Sequence, residues 1–368
     1  HPRSGDTRLR RARLPLAGCI RRSHLYERTR FEAPVSRLEP VGDQWRLVTA
    51  AGHDALYPLV IVCNGLQRVP HLPEPAYPGS FAGEVLHSME YKSGRQVAGK
   101  RVLVVGGGNS GCDIAVDAVH HAASVHHSTR RGYYYQPKFI DGKPTPQWMM
   151  ELGNKFPRKE DTLAYIAEVF RMAGYDGASY GLPAPDYPLD AAHPVMNSQI
   201  LYHIGHGDVV PKGDVAAFEG RNVRFTDGST AEFDVILYAT GYKRDFPFLD
   251  KALLDWKSGI PDLFLHSTPR NHDNLLFMGF INAAGGLGDG LKTQGLYALT
   301  YARALFGRTR GLEAFLKAKQ TDNPDIGQGY FVPSYRHLWE ADLWKLLAQM
   351  RRYRDMLAGD AAPEAMAS

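Results

Sequence analysis

The sequence predicts an α/β fold assembled from two related units, and three observations carry that expectation. They are a strand, glycine turn, helix and strand over residues 101–131, a hairpin pattern that recurs 176 residues along the chain, and a C-terminal apolar strand followed by a glycine-rich loop and a helix. In the first, Arg101-Val-Leu-Val-Val105 is apolar and β-branched, Gly106-Gly107-Gly108-Asn109-Ser110-Gly111 follows, and Ile114, Ala115, Ala118 and Val119 recur at helical spacing before Ser124-Val125-His126-His127-Ser128. The spacing Gly106-x-Gly108-x-x-Gly111 between a strand and a helix is a dinucleotide-binding fingerprint. One glycine turns the chain, one lets backbone approach a pyrophosphate, and one lets helix and strand pack closely. The anion would rest on the helix N-terminus, which makes Gly106, Gly108, Asn109, Ser110, Gly111, Cys112 and Asp113 the candidate nucleotide-binding residues. Where an NAD-specific site carries an acid for the ribose 2′-hydroxyl, this chain has Ser128, Thr129, Arg130 and Arg131, so NADP(H) is expected, with Arg130 and Arg131 pairing the 2′-phosphate.

In the second observation, Gln44-Trp-Arg-Leu-Val-Thr-Ala-Ala-Gly52 and Tyr57-Pro-Leu-Val-Ile-Val-Cys-Asn-Gly65 align without gaps on Gly220-Arg-Asn-Val-Arg-Phe-Thr-Asp-Gly228 and Phe233-Asp-Val-Ile-Leu-Tyr-Ala-Thr-Gly241. Each copy reads as a hairpin turning at its first glycine and a buried strand ending at its second, as at the close of a dinucleotide-binding domain. Two Rossmann-like dinucleotide-binding domains are therefore expected. The second has its glycine turn at Gly106; the equivalent turn of the first would fall about 70 residues before residue 1, so the first domain is expected to be N-terminally incomplete. In the third observation, Asn274-Leu-Leu-Phe-Met-Gly279-Phe-Ile281 reads as a buried strand, Gly285, Gly286, Gly288 and Gly290 as a loop, and a helix is expected from near Thr293 through Leu305.

Composition narrows the class. The chain of 368 residues is 44% hydrophobic, enough for two domains with real cores, and its formal charge of +4 owes much to an arginine-rich N-terminus holding Arg8, Arg10, Arg11, Arg13, Arg21 and Arg22. That segment reads as a frayed, solvated end before a transit peptide or a nucleic-acid arm. Cys19, Cys63 and Cys112 are too scattered for a disulfide framework, a metal site or a redox dithiol, which fits a reducing cytosol and argues against a disulfide reductase. No apolar run has the length of a membrane span, and Leu338–Leu357 is amphipathic. No nucleic acid, membrane or metal is expected as a partner.

Between the first tail and the glycine turn lies Phe81-Ala-Gly83-Glu-Val-Leu-His87-Ser88-Met-Glu-Tyr91. It resembles the F-x-G-x-x-x-H-S-x-x-Y motif of flavin-dependent monooxygenases with two Rossmann domains, and Tyr238-Ala-Thr240-Gly241-Tyr242 looks like that family's A-T-G-Y linker. Cys63-Asn64-Gly65 departs from the more usual A-T-G at the first tail. The resemblance implies an NADP domain inserted in an FAD domain, with residues 1–95 a remnant of the FAD domain, 96–240 the NADP domain, and 241–368 the return to the FAD domain plus C-terminal helices. It further implies His87, Ser88 and Tyr91 as the catalytic residues, with His87, Ser88, Thr240 and Gly241 positioning and hinge residues rather than acid–base catalysts. Phe81, Gly83, Asn64, Gly65, Thr240, Gly241 and Gln294 join the cofactor-binding set. Within the family, tyrosine rather than tryptophan at position 91 favours oxidisers of nitrogen and sulfur over Baeyer–Villiger enzymes.

The implied reaction is NADPH reduction of FAD, formation of a C4a-hydroperoxyflavin with O2, and transfer of one oxygen atom to a small amine or sulfide. The cofactors carry that chemistry, consistent with a sequence showing no triad, carboxylate pair or metal cluster. A Baeyer–Villiger oxygenase and an NADP(H)-binding pseudoenzyme that does not retain FAD stay open as alternatives, and oligomeric state is open too, a homodimer included.

Overall fold

The computed structural model describes residue 25 and residues 27–152, 155–282 and 288–359. The arginine-rich N-terminus, Cys19, Gly285 and Gly286 lie outside the described residues. The chain divides into two compact units, one of residues up to Val60 with Phe246–Leu253, the other of Ile61–Asp245 with the chain from Leu254 onward.

The first unit holds an antiparallel meander of Val35–Val41, Gln44–Thr49 and Asp54–Tyr57. Alternation along the strands buries Leu38 and Trp45 on one face, and Leu249 bridges Leu38. The hairpin turns at Gly52, where φ is +83°, with Arg46 opposite Leu56 and Val48 opposite Asp54.

The second unit is built on a five-stranded parallel sheet in the order Val209–Lys212, Ser124–Ser128, Arg101–Val105, Val235–Tyr238, Glu84–His87. Period-two alternation splits its side chains between two cores. Val102, Val104, Val235 and Leu237 pack with Cys112, Ala115 and Ala118 of the Asn109–Val119 helix. Leu103, Val105, Ile236 and Tyr238 face Phe218, Val223 and Phe225 of a second sheet. With both faces covered, Arg101–Val105 and Val235–Tyr238 read as nearly continuous apolar runs. The second sheet has the order Thr230–Glu232, Asn222–Phe225, Val215–Gly220, Gly79–Phe81. Its hairpin turns at Gly228 (φ +81°), with Asn222 opposite Glu232 and Arg224 opposite Thr230. That is the register of the first unit's hairpin, carried forward by the repeat offset.

Residues 132–208 interrupt the sheet with elements the sequence reading left unassigned. Helices Thr145–Leu152 and Lys159–Met172 share a small core of Leu152, Ile166, Phe170 and Leu189, and Ile200–Gly205 returns to the main core. Toward the C-terminus, Leu275–Phe277 is wholly buried and pairs with Val60–Val62. The helix expected from Thr293 begins at Gly288 and runs to Gly307, because Gly288 and Gly290 enter it instead of staying in the loop. Leu343–Ala358 is the amphipathic C-terminal helix; Asp342 caps it by accepting the Lys345 N–H at 3.0 Å, and Leu346, Leu347, Met350, Tyr353 and Leu357 form its buried face. None of the described helices is long and apolar enough to cross a membrane.

Candidate functional site

Strand register collects most of the singled-out residues at one end of the parallel sheet. Val105 stands opposite both Ser128 and Tyr238, and Tyr238 opposite His87, so Gly106, Thr129, Ala239 and Ser88 leave the carboxyl edge side by side. In open α/β sheets this edge is where ligands bind.

The three fingerprint glycines are there for different reasons. Gly106 has φ +126°, and a β-carbon on it would lie 2.5 Å from the Ala239 carbonyl; on Gly111 it would lie 1.9 Å from the Gly106 carbonyl. Both positions are closed by the protein itself. At Gly108 a β-carbon would meet nothing nearer than the Arg336 guanidinium at 3.2 Å, so the protein alone does not demand that glycine. Gly108 is the N-cap of the Asn109–Val119 helix and no side chain caps it, which leaves first-turn N–H groups available to an anion.

Around this turn, buried polar atoms lack partners. Thr129 is 1% exposed, its hydroxyl has no hydrogen bond, and its methyl lies 3.0 Å from the β-position of Gly107. The Ser88 hydroxyl, just past the Glu84–His87 strand, is also unsatisfied, as are, at the end of the first tail, both amide atoms of Asn64. Buried polar atoms normally have partners, so an orphaned hydroxyl beside an uncapped helix start fits a polar ligand. Arg130 is exposed and Arg131 half-buried, its guanidinium 5.6 Å from the Tyr133 ring centre. Neither forms an ion pair among the described residues.

His87 and Thr240 are latches. The Met89 N–H donates to His87 Nδ1 at 3.1 Å, which places the proton on Nε2, and that N–H donates to the Gly241 carbonyl at 3.0 Å. Burial holds this imidazole below its usual pKa, and the neutral tautomer is the one both bonds require. The Thr240 hydroxyl donates to the His71 carbonyl, the His71 N–H to Gly241, and Tyr242–Lys243 pairs with Val69–Pro70. With both nitrogens engaged, His87 positions the linker.

Other expected residues lie elsewhere or do other work. Tyr91 donates to Asp117 at 2.7 Å, near the far end of the Asn109–Val119 helix, on the order of 12 Å along its axis from the glycine turn. It braces that helix at a distance from the glycine turn. Phe81 packs against Phe218 and a β-carbon on Gly83 would meet the Asp234 carbonyl at 2.5 Å, so both serve packing at the amino end of the sheet. Cys112 is buried in the core, Asp113 accepts from Asn197 at 2.7 Å, and Asn109 accepts the Met196 N–H at 2.7 Å. Ser110 is exposed on the first helical turn. Gln294 neither faces water nor an open site. It is fully buried, accepting the Gly279 N–H and donating to Ser267, both at 2.8 Å.

A family model described as flavin-binding monooxygenase-like matches residues 35–312. The chain belongs to that family.

The chain is 32% identical over 258 residues to flavin-containing monooxygenase 2 of Homo sapiens, covering 66% of this chain and 48% of that protein. It is 30% identical over 311 residues to flavin-containing monooxygenase 5 of Oryctolagus cuniculus, covering 81% and 58%. The chain thus spans about half the length of the curated relatives it matches. Among solved structures, cyclohexanone monooxygenase from Rhodococcus sp. Phi1 bound to NADP+ aligns with a TM-score of 0.60 at 18% identity, covering 94% of this chain and 81% of that one. S-allyl-L-cysteine S-oxygenase from Allium sativum aligns at 0.51 and 19%, covering 89% and 60%. At such identities the likeness concerns the fold.

One group at the site was missed from sequence and lies beyond the residues the family model matches. The turn Tyr335–His337 brings Arg336 to the helix start, and the Tyr335 hydroxyl accepts the Arg244 N–H at 2.8 Å. No spacing or motif in the C-terminal segment signals it.

Proposed function

We propose that this protein acts as an NADPH- and FAD-dependent monooxygenase that inserts one oxygen atom of O2 into a nucleophilic nitrogen or sulfur of a small molecule. The observation that carries the reading is the orphaned, buried Thr129 hydroxyl beside an uncapped helix start and two guanidinium groups without ion pairs, with further orphans, Ser88 Oγ and the Asn64 amide, at the ends of other strands. Residues 96–240 are assigned to NADP(H). Gly108 and the first-turn N–H groups would take the pyrophosphate, and Arg130 and Arg131 the 2′-phosphate. Residues 1–95 and 241–368 are assigned to FAD, with Asn64, Gly65, Thr240 and Gly241 at the ends of the two tails. FAD, when bound, supplies the hydride acceptor and the site of oxygen activation, which no side chain here offers. The chain's own part is to bind and orient. Gly106 and Gly111 fix the turn, His87 and Thr240 hold the linker in one geometry, and the Ser88 hydroxyl is available to the ligand at the strand ends.

A Baeyer–Villiger reaction is kept as the second reading because Tyr91, which separated the two in sequence, sits against Asp117 away from the glycine turn. The test is NADPH-dependent oxygen uptake on FAD-supplemented protein, with a tertiary amine, a thioether and a cyclic ketone in parallel. Turnover of amine or thioether supports the proposal, and turnover of ketone alone replaces it with the second reading. NADPH binding without uptake on any of them leaves a binding protein. Gly108→Ala should lose NADPH binding while keeping the parent's melting temperature, and NADH binding as tight as NADPH would remove the 2′-phosphate assignment.

A further inference from the structure

The C-terminal segment places a cation where the nucleotide fingerprint leaves an opening. Arg336 lies on the Tyr335–His337 turn, outside the residues matched by the family model, and its Nη1 is 3.2 Å from where a β-carbon on Gly108 would sit. The turn is held from several sides. The Tyr335 hydroxyl accepts the Arg244 N–H, its ring lies 5.1 Å from that of His71, and Ser334 Oγ is 2.7 Å from His337 Nδ1. Three residues on, Glu340 is bonded to His193 and to Asn282, both at 2.5 Å.

The Glu340 carboxylate is taken, and it does not pair with the turn's arginine. Arg336, Arg131 and Arg130 form no ion pair among the described residues. His337, 5% exposed, stands in the field of Arg336 and Arg131 with its Nε2 unpartnered. Burial and those two charges hold its imidazole down at about 3, so it adds no positive charge of its own at neutral pH. A second orphan, the Thr129 hydroxyl, lies beside the same glycine turn. Cations gathered around an uncapped helix start, with unsatisfied buried polar atoms on two sides, match a phosphate-bearing ligand.

We propose that Arg336 binds the pyrophosphate of the dinucleotide, so that the C-terminal segment closes a site the glycine turn and helix start begin. This rests on the nucleotide-binding reading given above. The arginine fork grips phosphate oxygens beside Gly108, where the helix N–H groups also point, a role distinct from that of Arg130 and Arg131.

The pyrophosphate is common to NADPH and NADH, and the 2′-phosphate is not, so the two nucleotides separate the roles. Arg336→Ala should raise the Kd of both by the same factor, about tenfold or more, with the melting temperature of the ligand-free protein unchanged. Arg336→Lys keeps charge without the fork and should fall between parent and alanine variant. If Arg336→Ala does not fold, the lysine variant decides, since a Kd equal to the parent's overturns the proposal. Unchanged Kd values in Arg336→Ala overturn it too while leaving the nucleotide site intact. A loss confined to NADPH moves Arg336 to the 2′-phosphate and overturns the pyrophosphate assignment. A parent protein that binds neither nucleotide overturns both this proposal and the reading beneath it.

Discussion

The two tails of the internal repeat share a pattern and differ in what surrounds them. The second, Val235–Tyr238, lies inside the parallel sheet with four buried residues and ends in a segment whose Thr240 and Gly241 are bonded to His71 and His87. The first, Val60–Val62, is a shorter strand paired with Leu275–Phe277, and it ends at Asn64, whose amide has no partner. Hairpin register is the same in both copies. One tail therefore has its polar groups committed to the protein and the other has an amide without a partner. A repeat in sequence carries local geometry, while neighbouring strands decide which copy is filled.

The largest test of that contrast is at the glycines. Gly106→Ala should cost about 3 kcal/mol or more, because the new carbon meets the Ala239 carbonyl at 2.5 Å in a backbone already at φ +126°. Gly65→Ala has open space and only a left-handed backbone at φ +74° to tolerate, so about 1–2 kcal/mol is expected. Chemical denaturation of both variants checks the difference, and equal costs would mean the second tail is no more crowded than the first.

Next is the latch. His87→Ala should destabilise the ligand-free protein by about 1–3 kcal/mol, since it removes a buried imidazole, one of the two bonds to the Gly241 carbonyl and the partner of the Met89 N–H. A loss under about 0.5 kcal/mol in urea titration would show that the linker is held without it.

Acid should find the same place. Burial lowers the His87 pKa, so its contribution is complete above the unfolded value near 6.5 and is lost as pH falls from there through the lowered folded value. His127, buried in the same sheet and lowered by burial, acts in the same direction. Between pH 6.5 and 5, stability of the parent should therefore fall, and His87→Gln should fall less steeply, by up to about 1.4 kcal/mol per pH unit. Parallel slopes for the two proteins would remove His87 from the acid response.

The smallest effect is expected at the first tail. Asn64→Ala should leave the ligand-free protein within about 0.5 kcal/mol of the parent, because it deletes an amide that has no bonds to lose and whose burial is unfavourable. A cost above about 2 kcal/mol in the same denaturation experiment would show that the amide is engaged in the free protein.

Much of this fold can be read along the chain. The glycine turn, its strand and helix, and the hairpin register of both repeats follow from periodicity and from glycine's freedom at positive φ, which are local properties. The helix starting at Gly288 and the elements within 132–208 were less legible, because packing overrides the low helix propensity of glycine and short elements have little periodicity to show. Sequence alone placed Gly106 and Thr240 at the ends of apolar strands and Thr129 within the strand after the helix, while Ser88 was singled out only by its motif. Only the tertiary structure decided that those strands align in one parallel sheet, that Tyr91 braces Asp117 and Phe81 lines a core, and that Arg336 arrives at Gly108 from more than 200 residues away. Strand order and long-range approach depend on which apolar faces bury one another, and no window of sequence contains both partners.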